Sequence, residues 1–161
     1  MLASARLEAL ATLDWALGFT TTFPAFDAGP AVELLEAREN RRGAPTLRPP
    51  DDVERMRGLA GLWYWRSQTR GFHDGLFPLP QGVTLEQLDE AVREAAIGAV
   101  ADGMIPATID DDLPACGKSF ARLTDAEWRH VNSTTVQRLF ALNRLCSHAP
   151  GNDWDATRLA V

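Results

Sequence analysis

An all-α fold, a single compact domain of about five helices joined by long loops containing Pro and Gly, is what this sequence predicts. Three observations predict it. Apolar residues recur three and four apart over several long segments. Two segments open on T-x-x-Q or T-x-x-E, the capping box in which each side chain satisfies the other residue's backbone N–H. No long run alternates with the period of two that a half-buried strand needs.

The elements follow in order. Residues 4–17 read as an amphipathic helix, capped by Ser4 and stopped by Gly18. Leu7, Leu10, Ala11, Asp14 and Leu17 track one side, and Leu13 and Trp15 widen the apolar face. Residues 19–30 are loop, with Phe23 and Phe26 the expected cover for that helix. Residues 31–39 predict a short helix with Val32, Leu34 and Leu35 inward, and residues 40–50 a Pro-rich loop. Asp51 or Asp52 caps the next helix, which is expected to reach about Thr69 and stop at Gly71. Its inner stripe is Val53, Met56, Leu59, Ala60, Trp63 and Ser67. Residues 71–83 form a loop. Thr84 and Gln87 open a helix through about Ala101, ended by Gly103. Residues 104–123 look polar and irregular. Thr124 and Glu127 open the last helix, to about Ser147, and its β-branched middle, residues 131–136, predicts a kink or a late start. Pro150 and Gly151 break that helix. Asn152-Asp153-Trp154-Asp155 then predicts an ordered C-terminal tail. Trp154 is expected to bury, with Asp153 and Asp155 taking donors from the body, and Arg138 and Asn143 completing the clasp.

At 161 residues the chain is one ordinary domain. It can bury ~70% of its unfolded surface without a metal or disulfide. A net charge of −6 argues against general binding to nucleic acid or to an anionic membrane, both of which need a positive field. Of 16 basic residues only Lys118 is Lys. Cys116 and Cys146 form no CxxC, so a reduced, cytoplasmic setting is the expectation. Arg6, Glu8 and Asp14 interrupt the first apolar run, unlike a secretory leader, and no stretch approaches the ~20 apolar residues of a membrane span.

Several residues could carry chemistry. Gly117-Lys118-Ser119 resembles the end of a phosphate loop, but Asp112 stands where that motif needs its first Gly. Cys146, His148, Asp153 and Asp155 offer metal ligands at an uncommon spacing, and Asp110, Asp111 and Asp112 offer oxygens that more often cap and turn. Cys116 with His130 or His73 would make a nucleophile and base only if the fold joined them. The expectation is no metal, no cofactor and no catalytic set. Trp65, Arg66 and Arg70 are the binding candidates. Trp63 faces the core stripe, and Trp65 lies on the other side of the helix. Arg66 and Arg70 share a face, able to hold a partner's carboxylates or the protein's own Asp153 and Asp155.

Four blocks carry a resemblance: RLEALATLDWALGF from Arg6, LWYWRSQTR from Leu62, DDDLPACGKSFARLTDAEW from Asp110, and RLFALNRLC followed by NDWD. Together they resemble the bacterial domain-of-unknown-function family 4272. Arg144 stands at a usual Trp, Ser147 at a usual Gly, and Arg158-Leu159-Ala160 replaces the usual ending. The resemblance implies a short member lacking an upstream helical region, and it supplies no catalytic residue. The functional expectation is a non-catalytic cytoplasmic protein-interaction module, an inhibitor- or immunity-like binder of a protein partner. Self-association, as a homodimer, is favoured, because the first helix carries more leucine than one face needs. The alternatives are an enzyme assembled from scattered residues, with Arg66, Arg70, Asp112 and Asp153 near one pocket, and a purely structural domain.

Overall fold

A computed structural model describes residues 2–28 and 44–147, with side chains from residue 6. The architecture is mostly helical. The helices are α1 (Leu2–Ala16), α2 (Pro50–His73), α3 (Leu85–Ala101) and α4 (Asp125–Leu145). A two-stranded antiparallel hairpin, β1 (Pro114–Ala115) and β2 (Lys118–Ser119), and a 3-10 turn, Phe120–Arg122, precede α4. Four α-helices therefore stand among the described residues. The fifth expected, over residues 31–39, and the C-terminal tail lie outside them.

Local chemistry sets most helix ends. Thr84 and Gln87 form the expected capping box, as do Thr124 and Glu127. Neither Asp51 nor Asp52 caps α2. Pro49 is the N-cap and Pro50 the first helical residue, where a missing N–H costs nothing. Asp51 and Asp52 sit instead in the first turn, complementing the helix dipole. The helix also passes Gly71 and ends at His73. That glycine is there for packing: a Cβ would stand 2.4 Å from Phe77 Cε2. α4 runs unbroken through its β-branched middle, because Val131, Thr134 and Thr135 are buried and tertiary packing outweighs their weak propensity.

α4 packs on α1 and on α2, and α3 lies against α2. Through this core runs a line of aromatic rings. Trp15 meets Phe23 edge-on at 5.1 Å, Phe23 meets Phe26 at 5.6 Å, Phe26 stacks on Trp63 at 5.2 Å, and Trp63 meets Phe120 at 6.1 Å. Phe23 and Phe26 do cover α1, as the sequence suggested. The inward side of α1 is otherwise not the leucine stripe. Glu8, Ala11, Thr12, Trp15 and Ala16 are buried, while Leu7, Leu10, Leu13 and Leu17 are half-buried. The physical reason is Arg138, which is fully buried on α4 and draws Glu8 inward.

The 104–123 segment is not irregular. Ile109 and Asp112 bridge around Asp110 and Asp111, both left-handed. Ala115 and Lys118 pair around Cys116 and Gly117, again left-handed, the backbone twist that a two-residue hairpin turn needs. After α1, Gly18 turns the chain at φ +72°, and Thr46 O lies 2.6 Å from where its Cβ would be. Residues 44–49 cross there, with Thr46 and Arg48 N–H donating to Leu17 and Ala16 carbonyls.

Candidate functional site

Arg66 and Arg70 stand one turn apart on α2. Arg66 Nε and Nη2 each donate to one oxygen of Asp112 at 2.7 Å, and Nη1 donates to Thr69 Oγ1 at 3.0 Å. The guanidinium also lies 4.8 Å over the Phe120 ring. Asp112 accepts two further bonds, from the N–H groups of Leu113 and Ala121, both at 2.8 Å. Four donors occupy a carboxylate that has about four lone-pair sites. Asp112 is thus a pin for the hairpin, not the solvated loop acid its sequence neighbours suggested. Arg70 donates to Leu123 O at 2.6 Å, to Asp125 Oδ1 at 3.2 Å and to Asp74 Oδ2 at 3.1 Å, and lies over Trp128. Internal pairing of both arginines holds among the described residues, with these partners. Asp153 and Asp155 lie outside them.

Arg66, Arg70, His73, Asp74, Asp89 and Ala121 line a cavity of about 230 Å³. His73 Nε2 stands 2.9 Å from Asp89 Oδ1, tying the end of α2 to α3. Of the four residues of the enzyme alternative, Arg66 and Arg70 line this cavity, Asp112 pairs with Arg66 but is not among the lining residues, and Asp153 lies outside the described residues. The four donors leave Asp112 no lone pair to serve as a base.

Trp65 sits half-buried on the outer side of α2, opposite the buried Trp63. With Gly61, Leu62, Ala91, Glu94 and Ala95 it lines a broad, shallow depression of about 580 Å³ between α2 and α3. Among the described residues no guanidinium lines that depression, and Arg66 and Arg70 line a different cavity from Trp65.

The expected clasp divides. Arg138 Nε and Nη2 reach Glu8 Oε2 at 2.8 and 2.7 Å. Nη1 donates to the carbonyls of Pro24 and Ala25 at 2.5 and 2.9 Å. Phe23 and Phe26 each face the guanidinium at 5.5 Å. Burial lowers the arginine's pKa and the Glu8 charge opposes that. Arg138 therefore joins α4 to α1 and to the Phe23–Phe26 loop, and Asn143 is fully buried on the same helix. Asp153, Trp154 and Asp155 lie outside the described residues.

The remaining motifs separate. Gly117 and Lys118 belong to the hairpin, and Lys118 Nζ holds Glu127 at 3.0 Å. Cys116 N–H donates to Asp27 Oδ2, His130 meets Ala28 O, and His73 meets Asp89, so no hydrogen bond joins the thiol to either ring. The Cys116 thiol pKa is raised by desolvation and by Asp27 and Glu127. The Cys146 thiol is pushed up to about 12 by burial and by a hydrogen bond to Glu54. Among the described residues no three His, Cys, Asp or Glu side chains are placed to hold a metal. No helix there is long and apolar enough to cross a membrane.

No family model, curated protein or solved structure matches the chain. The site therefore rests on its own geometry. Sequence reasoning missed Glu8, and it missed Arg48 and Arg55, whose partners are backbone carbonyls distant in sequence. Only the placing of Arg48 between Pro45 and Pro49, just before the helix that Pro50 opens, hinted at a fixed loop.

Proposed function

We propose that this protein is a non-catalytic, cytoplasmic protein-interaction module that binds a protein partner in the manner of an inhibitor or immunity protein. The observation that carries the reading is the outer face of α2 and α3. A half-buried Trp65 and Leu62 stand there beside Gly61, Ala91 and Ala95, in a broad depression between the two helices. Tryptophan in such a setting is the residue type that most often dominates interface energy. The arginines that could have acted on a substrate are used in holding helices together. The net charge of −6 suits a partner with a basic surface.

The test is Trp65→Ala. The variant should keep the wild-type circular dichroism spectrum and its melting midpoint within a few degrees. It should also lose at least ~2 kcal/mol of affinity for a partner captured by the wild-type chain. A partner held equally by both proteins would place the interface elsewhere. Self-association as a homodimer belongs to the same reading, favoured by the leucine stripe of α1.

A further inference from the structure

A second site lies nearer the start of α2 and shares no lining residue with the Trp65 depression. Arg57, Arg66, Arg70, Arg93, Arg122 and Arg138 each stand within ion-pair distance of a carboxylate. Arg48 and Arg55 do not, among the described residues, and both line one cavity of about 330 Å³. Its apolar wall is Trp15, Met56, Leu59 and Met104.

Backbone fixes both guanidinium groups. Arg48 donates through Nε to Trp15 O at 2.9 Å and through Nη2 to Thr20 and Thr21 carbonyls at 2.8 and 3.0 Å, and stacks 4.8 Å over Trp15. Arg55 Nη2 donates to Asp102 and Gly103 carbonyls, just past the end of α3, at 2.7 and 3.2 Å. These partners are neutral carbonyls, those of Trp15, Asp102 and Gly103 at helix C-terminal ends and those of Thr20 and Thr21 in the loop after α1. They orient each cation and offset only part of its charge. Nη1 of Arg48, and Nε and Nη1 of Arg55, have no acceptor in the described chain. Among the described residues that line the cavity, Arg48 and Arg55 are cationic and Asp52 is the one carboxylate, which gives that lining about one positive charge in excess.

We propose that this cavity binds a small organic monocarboxylate with an apolar body. The carboxylate would bridge Arg48 and Arg55, and the body would lie against Trp15 and the two methionines. A mostly apolar pocket of this size with a few convergent polar groups is the usual form of a small-molecule site. Arginine matches the planar geometry of a carboxylate, and thioethers pack well against rings. The excess of one charge favours a monoanion over phosphate.

The probe is 2-naphthoate, with 2-naphthamide as its neutral isostere and acetate as its headgroup alone. Binding is read by calorimetry and by the methyl resonances of Met56 and Met104 in methyl-labelled protein. Naphthoate is expected to bind at ~100 µM and to shift both methyl signals, with naphthamide and acetate each at least tenfold weaker. Arg55→Gln should weaken naphthoate by about tenfold, in keeping with the loss of a charge-assisted bond. Asp52→Asn should tighten it by about threefold, a gain that a damaged fold cannot imitate. The proposal is overturned if millimolar naphthoate leaves both methyl signals unmoved. Equal binding of naphthamide, or of acetate, overturns it too, because the first needs no cation and the second no apolar wall. Neither result bears on the Trp65 face, which shares no lining residue with this cavity.

Discussion

At Arg138 a guanidinium gives up water for one carboxylate, two carbonyls and two aromatic faces. Such a pair is costly to break from one side, since the survivor stays buried and charged. Arg138→Met should therefore destabilise the protein by about 3–5 kcal/mol in a urea melt. Adding Glu8→Leu should recover most of the loss, because an apolar pair of similar volume no longer strands a charge. A double variant as unstable as the single would show that the carbonyl contacts carry the stability. The thiols give a second residue-scale prediction. Cys116 is exposed, whereas Cys146 is half-buried with its pKa near 12. In the folded protein at neutral pH one thiol should react with an aromatic disulfide reagent, slowly for an exposed cysteine, and the second only on unfolding. Two thiols reacting at one rate would refute this.

The capping boxes decide the next scale. Thr124 Oγ1 accepts from Glu127 N–H, and Glu127 Oε2 accepts from Thr124 N–H and hydroxyl. Those backbone and hydroxyl donors, with Lys118, hold the Glu127 carboxyl at about 2, against an ordinary 4.5. A depressed carboxyl contributes stability that is complete above its unfolded pKa and is lost as pH falls through the folded one. The stability gap between wild type and Glu127→Gln should thus be full above pH 4.5 and shrink towards pH 2. Denaturant melts of both proteins across that range measure it, and a gap that grows on acidification would reverse the assignment. Both boxes were legible in the sequence because every partner lies within three residues. The 104–123 segment was not legible. Its order depends on Asp112 reaching Arg66 on another helix, which no local pattern announces.

For the whole molecule, the apolar surface sets the expectation. Leu7, Leu10, Leu13 and Leu17 stay half-buried on α1, and Leu47, Leu76, Phe77, Leu85 and Ile97 are exposed. The exposed residues lie on separate segments, as is ordinary for a monomer, whereas the leucine side of α1 is one continuous face that a second copy can cover. Light scattering at ~100 µM is expected to give roughly twice the 17.7 kDa of one chain. A mass near one chain would leave the interaction reading to a different partner through Trp65.

Helical class, the two boxes, the inner stripe of α2 and the aromatic cover of α1 were written in the sequence. Each follows from spacing within a few residues or from apolar residues that must leave water. The pairing of charges was decided by tertiary structure alone. Glu8 and Arg138 stand 130 residues apart and Arg66 and Asp112 46 apart, and nothing in either neighbourhood marks them as partners. A charge looks the same in sequence whether it faces water or a buried counter-charge. Only the packed helices, by removing the water, turn these arginines from a possible binding face into ties of the fold, and leave Arg48 and Arg55 together at one cavity.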